Sequence, residues 1–129
     1  LWPLPKDRSE IYRRSIYLLN KRTVRLPMMA NFDQPDAMTS CPVRPVSTHA
    51  LQSLSLMNSD FMQEQSRAFA ARLESLPETA RIHRAHELTL GRKARPAELE
   101  LARDFLKQGG TWNQYLLALL NRNEFLYLP

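Results

Sequence analysis

Proline placement constrains this chain most. Four of its nine prolines, Pro27, Pro35, Pro42 and Pro45, fall between residues 27 and 45. Each fixes φ, removes a backbone donor and biases the preceding residue away from α conformation. Residues 23–46 therefore read as one long irregular loop. Loops of that length in compact domains are usually functional or packed down as Ω-type segments. This one carries Leu26, Met28, Met29, Phe32 and Met38, so it is expected to lie against the core.

From Ser47 onward the apolar residues recur at helical spacing. Leu51, Leu54, Met57 and Phe61 mark the inward face of a first helix, capped by Ser47 or Thr48. Asn58-Ser59-Asp60 offers a second start, followed by the stripe Met62, Gln65, Phe69, Leu73 and Leu76. Ser75-x-x-Glu78 matches a capping box. The next helix carries Ile82, Ala85, His86 and Leu90 and stops at Gly91. Pro96 opens another, with Glu98 and Glu100 near its positive end and Leu99, Ala102, Phe105 and Leu106 inward. Gly109-Gly110 ends it. Thr111-x-x-Gln114 is a second capping box, opening a helix with Trp112, Tyr115, Leu116, Leu119 and Leu120. Strand-type alternation is nearly absent. The expected fold class is all-α: about five helices in an irregular bundle with the proline-rich loop packed on it.

The 129 residues fit a single helical domain spanning 1–129. At 43% hydrophobic and 24% charged, the chain has a globular composition. No apolar run approaches the roughly 20 residues of a membrane span. Residues 1–9 read as a linker, and the abrupt opening Leu1-Trp2-Pro3-Leu4-Pro5 suggests a fragment of a larger multidomain protein. Residues 8–22 permit a helix with Ile11, Ser15, Leu18 and Leu19 on one side. The first half favours helix, and residues 15–22 are compatible with either helix or an extended segment.

The formal net charge is +5, and all of the excess lies in residues 1–25, with seven basic side chains against two acidic ones. Arg13, Arg14, Lys21 and Arg22 are the candidates for anion binding. They alternate with Tyr12, Ile16, Tyr17 and Leu18 and form no continuous run, and no recognition helix accompanies them. Nucleic acid is therefore not the expected partner.

Other constellations are weaker. Asp33, Asp36 and Asn31 offer oxygen ligands, but too few for a calcium site. Two Asp residues beside Pro35 more simply pin turns through backbone N–H groups. The lone Cys41 excludes an intrachain disulfide and is expected to be a small buried residue. His83 and His86 lie three apart on one helix but lack an acidic third ligand, so no metal site is expected. Arg44, Gln52 and Asn58 form a polar set in an apolar stretch, suited to satisfying loop carbonyls and backbone groups. If a ligand pocket lies beneath the loop, Asp33, Asp36, Arg44, Gln52 and Asn58 are its candidate residues. No catalytic residue is identified: phosphate loop, nucleophile elbow and dinucleotide fingerprint are all absent.

Several blocks together resemble a known family. They are Arg13-Arg14-Ser15-Ile16-Tyr17, Phe32-Asp33-Gln34-Pro35-Asp36, Cys41-Pro42-Val43-Arg44, Leu51-Gln52-Ser53-Leu54 and Met57-Asn58. Leu90-Gly91-Arg92, Pro96-x-Glu98 and Leu120-Asn121-x-Asn123-Glu124-Phe125 continue them. From about residue 10 to the end the chain resembles the C-terminal part of a bacterial domain of unknown function. That domain occurs in large multidomain proteins abundant in planctomycetes, often together with a planctomycete-type cytochrome c domain. The resemblance implies an extracytoplasmic setting, periplasmic or cell-envelope, with other domains of the same polypeptide as partners. It carries over no catalytic residues. The family commonly has Pro as the first helical residue, two before the Gln of the Leu-Gln pair; Ala50 stands there. The chain has no Cys-x-x-Cys-His motif, so no haem is expected on it; haem elsewhere in the parent protein is implied by the resemblance alone.

The resulting expectation is a non-catalytic helical structural or interaction module of a larger secreted or envelope protein. One alternative is an accessory part of an enzyme acting on polysaccharide or another polymer, with the loop acids contributing. A third is anion or nucleic-acid binding by the basic N-terminal segment.

Overall fold

A computed structural model describes residues 7, 10 and 12–127. The expectation placed on Leu1–Pro5 lies outside the described residues. The chain gathers into two compact units, Leu1–Thr48 and His49–Pro129. Among the described residues there is no β-strand, and the fold is all-α.

In the first unit, the helix expected in the first half of 8–22 does not extend through the described residues. They hold a 3-10 turn, Ser15–Tyr17, and Leu18 then adopts an extended conformation. Ile16 and Tyr17 stay exposed, so no apolar face is buried to offset helix nucleation. The proline-rich segment is not wholly irregular. It contains a short helix, α1 (Pro27–Asn31), with Pro27 at its start, where a missing N–H costs nothing. Asp33 follows with φ 56, in the left-handed region.

Among the described residues the second unit holds six helices: α2 (Ala50–Asn58), α3 (Asp60–Arg72), α4 (Glu78–Leu90), α5 (Pro96–Lys107), α6 (Trp112–Leu120) and α7 (Asn123–Leu126). Ala50, which stands where the family's Pro is expected, is the first helical residue of α2. Ser47 and Thr48 do not cap that helix; His49 is its N-cap, and Ser47 is held instead by Asp33. Ser59 caps α3 by accepting the Met62 N–H. Ser75 does not cap α4, because Pro77 is the N-cap and makes no side-chain cap bond. The Thr111–Gln114 box forms as expected: Gln114 N–H donates to Thr111 Oγ1, and Thr111 N–H donates to Gln114 Oε1. Gly91, at φ 68, ends α4 in the left-handed conformation that only glycine adopts without strain.

The extensive α3–α6 contact builds the main core. Leu73, Ala85, Leu116 and Leu119 form one buried cluster, with Phe69 and Leu76 packed against it. Ile82, Ala94 and Ala102 form a second, flanked by Leu99 and Trp112. Tyr115 packs against both and meets Trp112 edge-on at 6.0 Å between ring centroids. The Arg81 guanidinium lies 4.1 Å over the Trp112 ring while donating to Ala70 O.

One helix is rotated from expectation. Leu51, Leu54 and Met57 are each more than half exposed, and Phe61 is 41% exposed. The buried residues of α2 are Gln52 and Leu56, which lie on the opposite side of the helix. Gln52 is tolerated inside because its Oε1 accepts from the Tyr127 hydroxyl at 3.2 Å.

Candidate functional site

The five residues proposed from sequence are divided between the units. Asp33, Asp36 and Arg44 belong to the first, and Gln52 and Asn58 to the second. Arg44 donates to Phe32 O and Asp33 O at 2.6 and 3.2 Å. Asp33 takes the Ser47 N–H on one oxygen and the Ser47 hydroxyl on the other, both at 2.7 Å. Asp36 accepts the Met38 N–H at 2.9 Å and pins a turn. Asn58 is exposed at the last turn of α2. Cys41 is exposed rather than buried, with its thiol on Val43 O. It sits in a turn-rich stretch whose polar backbone keeps it at the surface.

A cavity of about 240 Å³ lies within the first unit, lined by Leu18, Leu26, Met29, Phe32 and Arg44 among others. Of the proposed anion-binding residues, Arg13 pairs with Glu10, and Arg14 and Arg22 are exposed. Lys21 is half-buried.

The densest polar chemistry lies in the second unit, around Glu98. Its carboxylate accepts four hydrogen bonds. Arg92 donates to both oxygens at 2.8 and 2.9 Å, Arg122 to Oε1 at 2.9 Å, and the Arg95 N–H to Oε2 at 2.8 Å. Arg92 also holds Glu124 through two bonds of 2.7 and 2.9 Å. Two guanidiniums thus balance two carboxylates. Hydrogen bonding from Arg92 holds Glu98 well below the usual carboxylate range, and that of Arg122 adds to it. The Glu98 and Glu124 bonds raise Arg92 in turn.

His86 lies beside this cluster at 1% exposure. Its Nε2 is 2.9 Å from the Tyr115 hydroxyl, and its Nδ1 is 3.6 Å from Glu98 Oε2. Burial lowers the His86 pKa below 6.5, and Arg92 and Arg122 add to that against the opposing pull of Glu98 and Glu124. Burial also pushes Tyr115 up to about 12, so its phenol stays protonated. Glu98, His86 and Tyr115 all line a groove of about 540 Å³ between α5 and α6. Among the described residues no group of His, Cys, Asp and Glu side chains is placed to hold a metal ion. No described helix is long and apolar enough to cross a membrane.

Three of the blocks that carry the family resemblance meet here. Arg92 comes from Leu90-Gly91-Arg92, Glu98 from Pro96-x-Glu98 and Glu124 from the last block, and they meet in one cluster. The family model described as PSD1, protein of unknown function (DUF1553), matches residues 3–106. The chain belongs to this family. Arg92 and Glu98 fall within the DUF1553 match, whereas Arg122 and Glu124 lie C-terminal to it. No curated protein and no solved structure matches the chain. In the sequence Tyr115 reads as a helix-face residue, and His86 as a helix-face residue weighed with His83 as a metal pair. His86 and Tyr115 are 29 apart in sequence, and no local signal joins them.

The neutral, buried His86 predicts a pH dependence. Its folded pKa lies below that of the unfolded chain, so the unfolded state binds the proton first as pH falls. The second unit therefore keeps the His86 contribution above about pH 6.5 and loses it as pH drops below that value. Urea midpoints followed by Trp112 fluorescence in a Trp2→Phe background are expected to fall between about pH 6.5 and 5. A flat profile there would contradict a neutral His86.

Proposed function

We propose that this DUF1553 chain is a non-catalytic helical interaction module that docks on another domain of the same polypeptide through the outer face of α2. The carrying observation is the row Leu51, Leu54 and Met57, exposed along one side of a helix, with Phe61 at the start of α3 also exposed. Contiguous exposed apolar surface of this kind commonly marks an interaction site. Residues 50–58 contain no charged side chain, so the face has no means of selecting a partner by charge. Permanent interfaces are the more apolar ones, which favours a contact within one polypeptide over a transient encounter. The parent is read as a large secreted or envelope protein of planctomycete type, with a cytochrome c domain elsewhere in the chain. That setting is supported by the sequence resemblance.

The test places a photo-reactive benzoylphenylalanine at Leu54 in the natural full-length polypeptide. Mass spectrometry of the irradiated protein is expected to show a cross-link from Leu54 to another domain of the same molecule. A cross-link to a second copy or to a different protein, or none at all, would overturn the reading.

A further inference from the structure

From Tyr12 to Phe32 the first unit contains no Asp or Glu, yet it carries Arg13, Arg14, Lys21, Arg22 and Arg25. Arg13 meets Glu10 from outside that stretch, and Arg25 donates to Gln34 O at 3.2 Å. Arg14 and Arg22 are exposed. A strip of one sign attracts surfaces of the other.

Apolar side chains are interleaved with these charges. Tyr12, Ile16, Tyr17, Leu18 and Leu19 are between 41% and 80% exposed, and none of residues 12–20 is buried. The Tyr17 N–H donates to Arg14 O and the Leu18 N–H to Ser15 O, both at 3.0 Å. These bonds shape the backbone without laying an apolar face on the rest of the unit. The apolar groups are also neighbours, because Ile16, Leu18, Leu19 and Val24 line the same cavity of about 240 Å³. Contiguous exposed apolar surface commonly marks an interaction site.

The two features together select the partner. The charge requires an anionic one. A nucleic acid or an acidic glycan supplies anions but no hydrocarbon for Ile16 and Leu19. A bilayer surface supplies both, with headgroup phosphates above an acyl boundary that apolar side chains enter by about 5–10 Å. Tyr12 and Tyr17 suit that boundary, where amphipathic rings concentrate. No described helix is long and apolar enough to cross a membrane, so the contact is peripheral.

We infer that this segment lies on the surface of an anionic phospholipid bilayer, with Ile16, Tyr17 and Leu19 in the headgroup–acyl boundary and Arg14 and Arg22 on the phosphates. Long basic side chains keep their stems in the boundary and their charges in the headgroups. The surface belongs to the first unit and the α2 face to the second, so each reading stands or falls without the other.

The test sediments the 129-residue chain with vesicles of equal parts phosphatidylglycerol and phosphatidylcholine, and with phosphatidylcholine alone. Saturable binding is expected to the first and little to the second. Raising salt from about 0.05 to about 0.5 M should weaken it strongly. Each basic side chain near such a surface is worth roughly fivefold, so the double variant Arg14→Ala, Arg22→Ala should bind roughly 25-fold more weakly. Ile16→Asn, which removes only apolar contact, should cost about tenfold. These positions are exposed, so the circular dichroism of the variants should match wild type. Leu51→Asn should leave binding unchanged. Heparin and oligothymidylate, at equal concentration of anionic groups, should bind more weakly than the vesicles. No saturable binding to the anionic vesicles, binding indifferent to Ile16→Asn, tighter binding to either soluble polyanion, or loss at Leu51→Asn would overturn the inference.

Discussion

Glu98→Ala is expected to lower the unfolding free energy of the helical unit by about 3 kcal/mol. Glu98 is 17% exposed at its side chain and accepts from three arginines. Removing it leaves the Arg92 and Arg122 guanidiniums facing each other beside a neutral His86, with Glu124 as the remaining carboxylate of the cluster. Breaking one side of a buried pair costs about 3–5 kcal/mol, and the partial exposure of Arg122 places this case at the lower end. Glu98→Gln is expected to lose nearly as much, because its amide NH₂ meets donors instead of accepting from them. Urea denaturation followed by Trp112 fluorescence measures both. A loss under about 1 kcal/mol, typical of exposed ion pairs, would contradict the structural role. Wild-type protein should also show an acid dependence beyond that of His86. In the unfolded chain Glu98 titrates near the ordinary 4.5, and in the folded chain well below it. The Glu98 contribution is therefore present above about pH 4.5 and lost as pH falls further.

Leu116→Ala is expected to cost about 3–4 kcal/mol. Leu116 is fully buried where α6 meets α3, packed with Leu73, Ala85 and Leu119. Truncation removes the transfer free energy of its methyl groups and leaves a cavity that close-packed neighbours fill only in part. Leu51→Ala, at 57% exposure, is expected to stay within about 0.5 kcal/mol of wild type. Both variants are read from the same denaturation curves. Similar losses at the two positions would show that α2 packs inward through Leu51, against the observed orientation.

The two leucines also show where sequence reasoning stops. Each sits at helical spacing among apolar neighbours, and each looks like core. The difference is that α6 has α3 laid along its apolar side, whereas α2 turns Gln52 and Leu56 inward. Gln52 is inside because Tyr127, 75 residues away, supplies a hydrogen bond. Asp33, Asp36, Arg44, Gln52 and Asn58 read in the sequence as a loop-organising polar set or, alternatively, a pocket beneath the loop. Asp33 and Arg44 hold backbone groups and Ser47 of their own loop, and Gln52 and Asn58 belong to the other unit.

What the sequence determined by itself is the family and several of the helix limits in the second unit. Those limits are local. Pro96 starts α5, Gly91 ends α4 and the Thr111–Gln114 box opens α6, because φ restrictions and caps act within a few residues. Tertiary structure decided which helix faces are buried and that Arg92, Glu98, Arg122, Glu124, His86 and Tyr115 share one site. Those contacts span up to 32 residues. They form because packing α4, α5, α6 and α7 brings their polar ends together, a property of the assembled helices that no local segment carries.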